Sequence, residues 1–264
     1  MQTDYFCHKS RIMLVKRLLL LLCIFLGIQA YAQRNVSDSA ISTFMFHAAY
    51  SIQFPSGDLT TYFGINSTIG GGILYKSDRN WINGISGGYI FGDQVKNRAE
   101  LLSLISTVDG EVIDGDGLNT SLALFERGFH LRLTGGKLFP AFGPNPNSGI
   151  IALASVGYLA HHIRIETQFG SAPQLQGDYA KGYDKLRGGF AIGAEVGYLV
   201  MSNSRVLNFS ATFEVVHART KSLRDYDFSI QARDNNSYSD TYYGFRLCWH
   251  IPTYQRSPQK YYYH

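Results

Sequence analysis

The sequence predicts an all-β chain, an eight-stranded antiparallel up-and-down transmembrane β-barrel with one short loop helix. Three observations lead there. Apolar and polar residues alternate with a period of two through successive segments, long and tight connections take turns, and a secretory-type leader precedes the first strand. No stretch after the leader reaches the roughly 18 uninterrupted apolar residues of a membrane-spanning helix.

The leader comes first in the chain. Lys9, Arg11, Lys16 and Arg17 precede an apolar run from Leu18 to Ile28, and Ala30-Tyr31-Ala32 closes it before Gln33. A basic start, a short apolar run and a small-x-small end predict a signal peptide over 1–32, cleaved between Ala32 and Gln33. Met13 is an alternative translation start. Cys23 lacks the Gly or Ala before it that a lipidation site prefers, so no lipid anchor is expected there. The remainder divides into an N-terminal periplasmic segment (33–41), the barrel (42–252) and a C-terminal periplasmic tail (253–264).

Without the leader the chain carries 20 Lys+Arg against 19 Asp+Glu, so its basic isoelectric point gives no argument for nucleic acid. Of the three cysteines only Cys248 remains, which excludes an internal disulfide. No Cys/His cluster has zinc spacing, and neither a metal nor a cofactor is expected.

Strands are expected at 42–54, 68–76, 81–92, 127–139, 149–167, 189–200, 206–219 and 240–252. The last shows the pattern best: Thr241, Tyr243, Phe245, Leu247, Trp249 and Ile251 share one face, with Tyr242, Gly244, Arg246, Cys248 and His250 on the other. Leu207, Phe209, Ala211, Phe213 and Val215 likewise oppose Asn208, Ser210, Thr212 and Glu214. The segment 149–167 reads least clearly, being apolar on both faces until His162. Connections then measure roughly 13, 4, 35, 9, 21, 5 and 20 residues, which puts every long loop at one end. That end is expected outside the cell and the short turns in the periplasm.

The aromatic-rich face is assigned to lipid. Its opposite is rich in glycine (Gly70, Gly72, Gly84, Gly88, Gly189, Gly193, Gly197) and bears charges of both signs at mid-strand, unlike a solvated outer wall. Aromatics towards strand ends, among them Tyr50, Trp81, Tyr198 and Trp249, suit interfacial girdles.

This pattern resembles the small eight-stranded outer-membrane barrels typified by OmpA and OmpX. More narrowly it is similar to a group of outer-membrane barrel proteins of the Bacteroidota. The likeness is carried by PSGDLTTYFGINSTIGGGILYKSDRNWINGISGGYIFG (55–92), PNPNSG (144–149), PQLQGDYAKGYDKL (173–186) and KSLRDYDF (221–228). It implies fold and location, and it brings no catalytic residues. Many such barrels end on an aromatic residue read by the assembly machinery. Here Pro252 and a tail follow the last strand, so that signal is either internal (Trp249, Ile251) or in Tyr261–Tyr263.

Five groups of residues are candidates for function. Arg132, Glu195, Glu214 and Arg246, with His130, are expected to meet in the lumen as a pairing network that fills a narrow barrel. His162, Arg164 and Glu166, beside His161, form a candidate rim site of the kind a lipid A-modifying enzyme would need, with Ser155 or Ser171 as nucleophile by composition only. The segment 95–107 suggests a short amphipathic helix using Val95, Leu101, Leu102, Ile105 and, just beyond it, Val108. The acidic DGEVIDGDG (109–117) after it lacks the ligand order of a calcium loop. Ser56 is expected to cap a helical turn carrying Leu59, Tyr62 and Phe63 over the mouth. Finally, Tyr179, Tyr183, Arg224, Tyr226 and Asp227 lie in loops as candidate partner contacts.

The expected role is structural or binding, without enzyme activity, through surface loops that meet a protein or glycan. One form of it is an accessory barrel of a secretion or gliding machine. Outer-membrane lipid, lipopolysaccharide and the barrel-assembly machinery are the other expected partners. A lipid A-modifying enzyme and a narrow solute channel are the alternatives.

Overall fold

The computed structural model describes residues 39–168, 170–202 and 206–253. The expected leader with its Ala32–Gln33 junction and the tail with Tyr261–Tyr263 lie outside these residues. Eight strands close into one antiparallel ring: β1 (Thr43–Gly57), β2 (Asn66–Lys76), β3 (Trp81–Gly92), β6 (Leu122–Phe139), β7 (Gly149–Thr167), β8 (Arg187–Val200), β9 (Phe209–Ser222) and β10 (Ser237–Pro252). Between β3 and β6 a loop carries a second, two-stranded sheet, β4 (Val112–Ile113) with β5 (Asn119–Thr120). Each ring strand pairs with its sequence neighbour, and β1 pairs with β10 to close the circle. Closure leaves the ring with no open edge.

Period-two alternation sets the two faces. Along β1 buried and exposed residues alternate without a break from Thr43 to Ile52. Outward point Phe44, Phe46, Tyr50 and Ile52, and elsewhere Leu131, Leu133, Phe190, Phe245 and Leu247, all exposed. Inward point His47, Ser51 and Gln53, with Thr68, Ser86, Arg132, Glu195, Glu214 and Arg246. The wall is therefore inverted relative to a soluble barrel, apolar outside and polar within. Glycine makes room on the inner face: a Cβ at Gly88 would lie 2.6 Å from Cε1 of His130.

Several boundaries differ from expectation; β9, for one, runs Phe209–Ser222 rather than 206–219. β6 starts at Leu122 rather than 127, because the 19-residue β7 needs a partner along its whole length and Leu122 pairs with Thr167. β10 likewise starts at Ser237, pairing with Lys221. Ser56 belongs to β1 and caps nothing; Gly57, at φ 68°, ends the strand before a 3-10 turn (Asp58–Thr61). A side chain is disfavoured at that φ, and a Cβ there would sit 2.4 Å from the carbonyl oxygen of Ser239.

As strands lengthen, the first connection shrinks to 58–65, no longer than the turn 140–148 at the opposite end. Alternation of length thus fails at one place, although alternation of end holds throughout. The loop end is also better packed than a set of surface loops would be. Leu59, Tyr62 and Phe63, then Leu101 and Leu102 from a four-residue helix (Arg98–Leu101), then Val112, Ala172, Leu175 and Tyr183 form one buried cluster with the strand residues Ile90, Leu159, Ala191 and Tyr242. The helix is shorter than expected, and Val108 is fully exposed in a turn rather than on its apolar face.

Candidate functional site

Four strands supply the central charges: β6 gives Arg132, β8 Glu195, β9 Glu214 and β10 Arg246. Glu195 and Glu214 stand directly opposite each other across β8 and β9, a like-charge juxtaposition that disfavours pairing. The two arginines offset it. Arg132 donates to Glu214 at 3.0 Å and approaches Glu195 at 3.5 Å; Arg246 lies 3.7 Å from Glu195 and 3.6 Å from Glu214. Gln53 donates to the other oxygen of Glu214 at 2.9 Å, and Thr68 donates to Gln53 at the same distance. Two cations and two anions, all nearly fully buried, thus cancel within one layer. Gln53 completes the layer and was not a sequence candidate, since a lone glutamine carries no signal. His130 lies near Arg132 at the wall of a cavity of about 20 Å³ and is not one of its ion-pair partners. A second cavity, about 30 Å³, is lined by His47, Glu195, Arg246 and His250. Each has space for about one or two waters.

Towards the loops a second polar layer appears. Tyr242 and Asn66 donate to the two oxygens of Glu126 at 3.0 and 2.9 Å. His161 Nε2 meets Asp240 at 3.0 Å, and Thr220 donates to the same carboxylate oxygen. Phe63 lies edge-on against the His161 ring at 5.3 Å, and His161 Nδ1 has no hydrogen-bond partner. Of the two adjacent histidines, then, the inward one is engaged and the candidate His162 is not.

The rim candidates do not assemble. Arg164 and Glu166 pair at 2.7 Å with both side chains about half exposed, a contact worth little. Ser155 faces the lumen seven positions before His162 on the same strand, on the opposite face, and roughly 23 Å away by strand rise. Ser171 accepts from Gln176 in a loop. Among the described residues a hydroxyl does meet an imidazole in the lumen, Ser210 with His250 Nε2 at 2.9 Å, but His250 Nδ1 has no hydrogen-bond partner to orient the ring. In the acidic loop, Asp114 accepts the backbone N–H groups of Asp116 and Leu118 at 2.9 and 2.8 Å, so its carboxylate holds a turn. Among the described residues no group of three or more His, Cys, Asp or Glu is placed to hold a metal ion.

The loop candidates separate into two kinds. Tyr179 and Tyr226 face solvent and Arg224 is partly buried, whereas Tyr183 and Asp227 are buried. Tyr183 packs on Phe228 with ring centroids 5.1 Å apart, and burial raises its hydroxyl pKa. Lys185 binds Asp227 at 2.5 Å and Ser229 at 2.5 Å. Arg224 grips Asp184 through Nε and Nη2, which raises the guanidinium pKa further. The loops 168–186 and 223–236 therefore hold one another, and Tyr183 and Asp227 are structural rather than available contacts.

Between these loops lies a polar pocket of about 230 Å³ that no sequence motif announced. Asp58 and Tyr62 come from the first loop, Glu100 from the second, Lys185 from the third and Asp227 and Asp234 from the last, with Arg187 at the start of β8 and Tyr238 at the start of β10. Arg187 lies over the ring of Tyr238, 3.4 Å from its centroid, and 5.7 Å from that of Tyr62. Burial, with Glu100 near, pushes the Tyr62 hydroxyl up to about 12.

The opposite end is sealed by PNPNSG. Asn147 is fully buried; its Oδ1 accepts from Ile41 N at 2.9 Å and from Lys76 Nζ at 2.8 Å, while its Nδ2 donates to Ser39. Asn145 and Ser148 donate to the carbonyl of Met201 at 2.7 and 3.1 Å.

No family model and no curated protein matches the chain. Among solved structures the chain is similar to Neisserial surface protein A (8% identity, 79% of this chain and 96% of that one, TM-score 0.40). It is similar to Ail, the attachment invasion locus protein of Yersinia pestis (8% identity, 80% and 99%, TM-score 0.38). A third is the N-terminal β-barrel domain of Pseudomonas aeruginosa OprF (12% identity, 80% and 98%, TM-score 0.36).

Proposed function

We propose that this protein is an integral outer-membrane barrel that works by binding rather than by catalysis or conduction. In this reading the long connections face outward and the short turns and both termini face the periplasm. The observation that carries it is the inverted wall: large apolar side chains stay exposed all round the ring while charges and hydroxyls are kept inside. A contiguous apolar exterior of this extent needs lipid as its solvent. Central charges that neutralise one another, with small cavities beside them, support a closed lumen.

The loop surface is then the working surface. Tyr179 and Tyr226, exposed on loops that are braced from below, are contacts suited to a protein or glycan partner. Membership of a secretion or gliding assembly is the specific form of this proposal. Crosslinking in native outer membranes followed by mass spectrometry tests it. A stoichiometric partner lost on Tyr179→Ala/Tyr226→Ala supports the reading, and its retention removes these residues from the interface. Point variants are the right tool, because deleting 173–186 would also remove Leu175 and Tyr183 from the buried cluster. Planar-bilayer recording tests the closed lumen: steps of single-channel conductance from the intact protein would overturn it.

A further inference from the structure

We infer that the pocket between the loops is a binding site for a small zwitterion, a molecule of the amino-acid or short-peptide class with one carboxylate and one ammonium group. The carboxylate would seat on Arg187 at the floor and the ammonium between Asp58 and Glu100 at the rim.

The argument begins with Arg187. Its side chain points into the pocket and is only 5% exposed. Its Nε has no hydrogen-bond partner, and among the described residues no carboxylate lies within ion-pair distance of it. A buried guanidinium without a counter-ion is costly. Tyr238 and Tyr62 offset part of that through their ring faces and fix the fork in place. The wall carboxylate of Asp240 gives Oδ2 to His161 and Thr220, while its Oδ1 has no hydrogen bond and is not within ion-pair distance of Arg187. Lys185 in the same pocket is satisfied by Asp227. One cationic fork is thus held rigid, desolvated and free to take a bidentate anion, the geometry a carboxylate matches.

The rim has the opposite sign. Asp234 accepts from Tyr238 and Asn236, whereas Asp58, which takes one hydrogen bond from Ser239 N at 2.7 Å, and Glu100 are exposed. A plain anion entering would meet two carboxylates before reaching Arg187. A plain cation would find the rim and then an unneutralised guanidinium below. Only a ligand carrying both charges gains at both levels. At about 230 Å³ the space is smaller than that of a drug-sized site, which suits a dipeptide.

This site is independent of the macromolecular partner proposed above, and the test reads it separately. The full-length barrel in non-ionic detergent is titrated calorimetrically with Ala-Ala, N-acetyl-Ala-Ala, Ala-Ala-amide and inorganic phosphate. Saturable binding of Ala-Ala is expected, weakened about tenfold or more by either capping group and by Arg187→Gln, as loss of a charge-assisted contact implies. Glu100→Gln, at an exposed position that folding does not require, should weaken Ala-Ala and leave N-acetyl-Ala-Ala unchanged. No saturable heat up to about 50 mM overturns the proposal. So does N-acetyl-Ala-Ala or phosphate binding as well as Ala-Ala, which would make this a simple anion site. The amide binding equally well would do the same by removing Arg187 from the contact. An absent crosslinked partner would leave all of these outcomes untouched.

Discussion

Arg132 and Arg187 are equally buried arginines of one lumen, and their surroundings could hardly differ more. Arg132 sits at mid-barrel with Glu214 and Glu195 within 3.0 and 3.5 Å, and Arg246 completes a layer in which charge cancels. Arg187 sits at the mouth between two tyrosine rings with its carboxylate partner missing. In the first place the chain has supplied both halves of an ion pair and filled the space. In the second it has supplied one half and left a cavity. A layer of the first kind strengthens the wall; one of the second kind waits for something from outside.

The comparison can be broken most forcefully at Glu214. Glu214→Ala leaves two buried arginines to share Glu195 and removes the acceptor of Gln53, and should cost about 3–5 kcal/mol, read from the urea midpoint of the folded, gel-shifted form. Pairing it with Arg246→Met restores the charge count to one of each sign. The double variant Glu214→Ala/Arg246→Met should recover about 0.5–3 kcal/mol relative to the sum of the single variants. At the sealed end, Asn147→Ala removes acceptors from Ile41 and Lys76 and should cost about 1–3 kcal/mol. Arg187→Met is the sharpening experiment: it removes an uncompensated charge, so stability should change by less than about 1 kcal/mol. A loss as large as that of Glu214→Ala would make Arg187 a structural residue and collapse the distinction. Arg164→Ala, at the exposed pair on β7, should stay within about 0.5 kcal/mol of the parent.

Legibility in the sequence followed the same division. Strand phase is local, so the outward apolar set from Phe44 to Trp249 and the inward charges Arg132, Glu195, Glu214 and Arg246 could be read from period-two alternation alone. Their pairing adds only the knowledge that a narrow ring brings inward residues together. Where β7 is apolar on both faces the phase signal fades, and the engagement of His161 with Asp240 in the interior was not read from the adjacent pair. The mouth was invisible for another reason. Tyr62 comes from the first connection, Arg187 and Tyr238 from the mouth ends of β8 and β10, and their meeting depends on how that connection folds across the barrel axis. Tyr183 and Asp227 mislead similarly, since Tyr, Lys and Asp brace a loop as readily as they contact a partner. Strand ends were misjudged wherever pairing, rather than composition, sets them, as at Leu122 opposite Thr167.

The seam between β1 and β10 has a kinetic meaning. Every other ring pairing joins strands adjacent in the ring's chain order, whereas this one brings Gly57 opposite Asp240 and Met45 opposite Pro252. By loop-closure entropy, joining residues this far apart costs roughly 3 kcal/mol more than closing a four-residue turn such as 77–80. Seven hairpin-like steps can proceed in sequence, but the eighth waits for both ends of the barrel sequence to be present. Until then the nascent sheet exposes two hydrogen-bonding edges and an apolar face together, the combination most prone to pair with the wrong chain. The yield of this protein is therefore set by how long those two edges are kept apart from other chains, and much less by how firmly the finished ring is held.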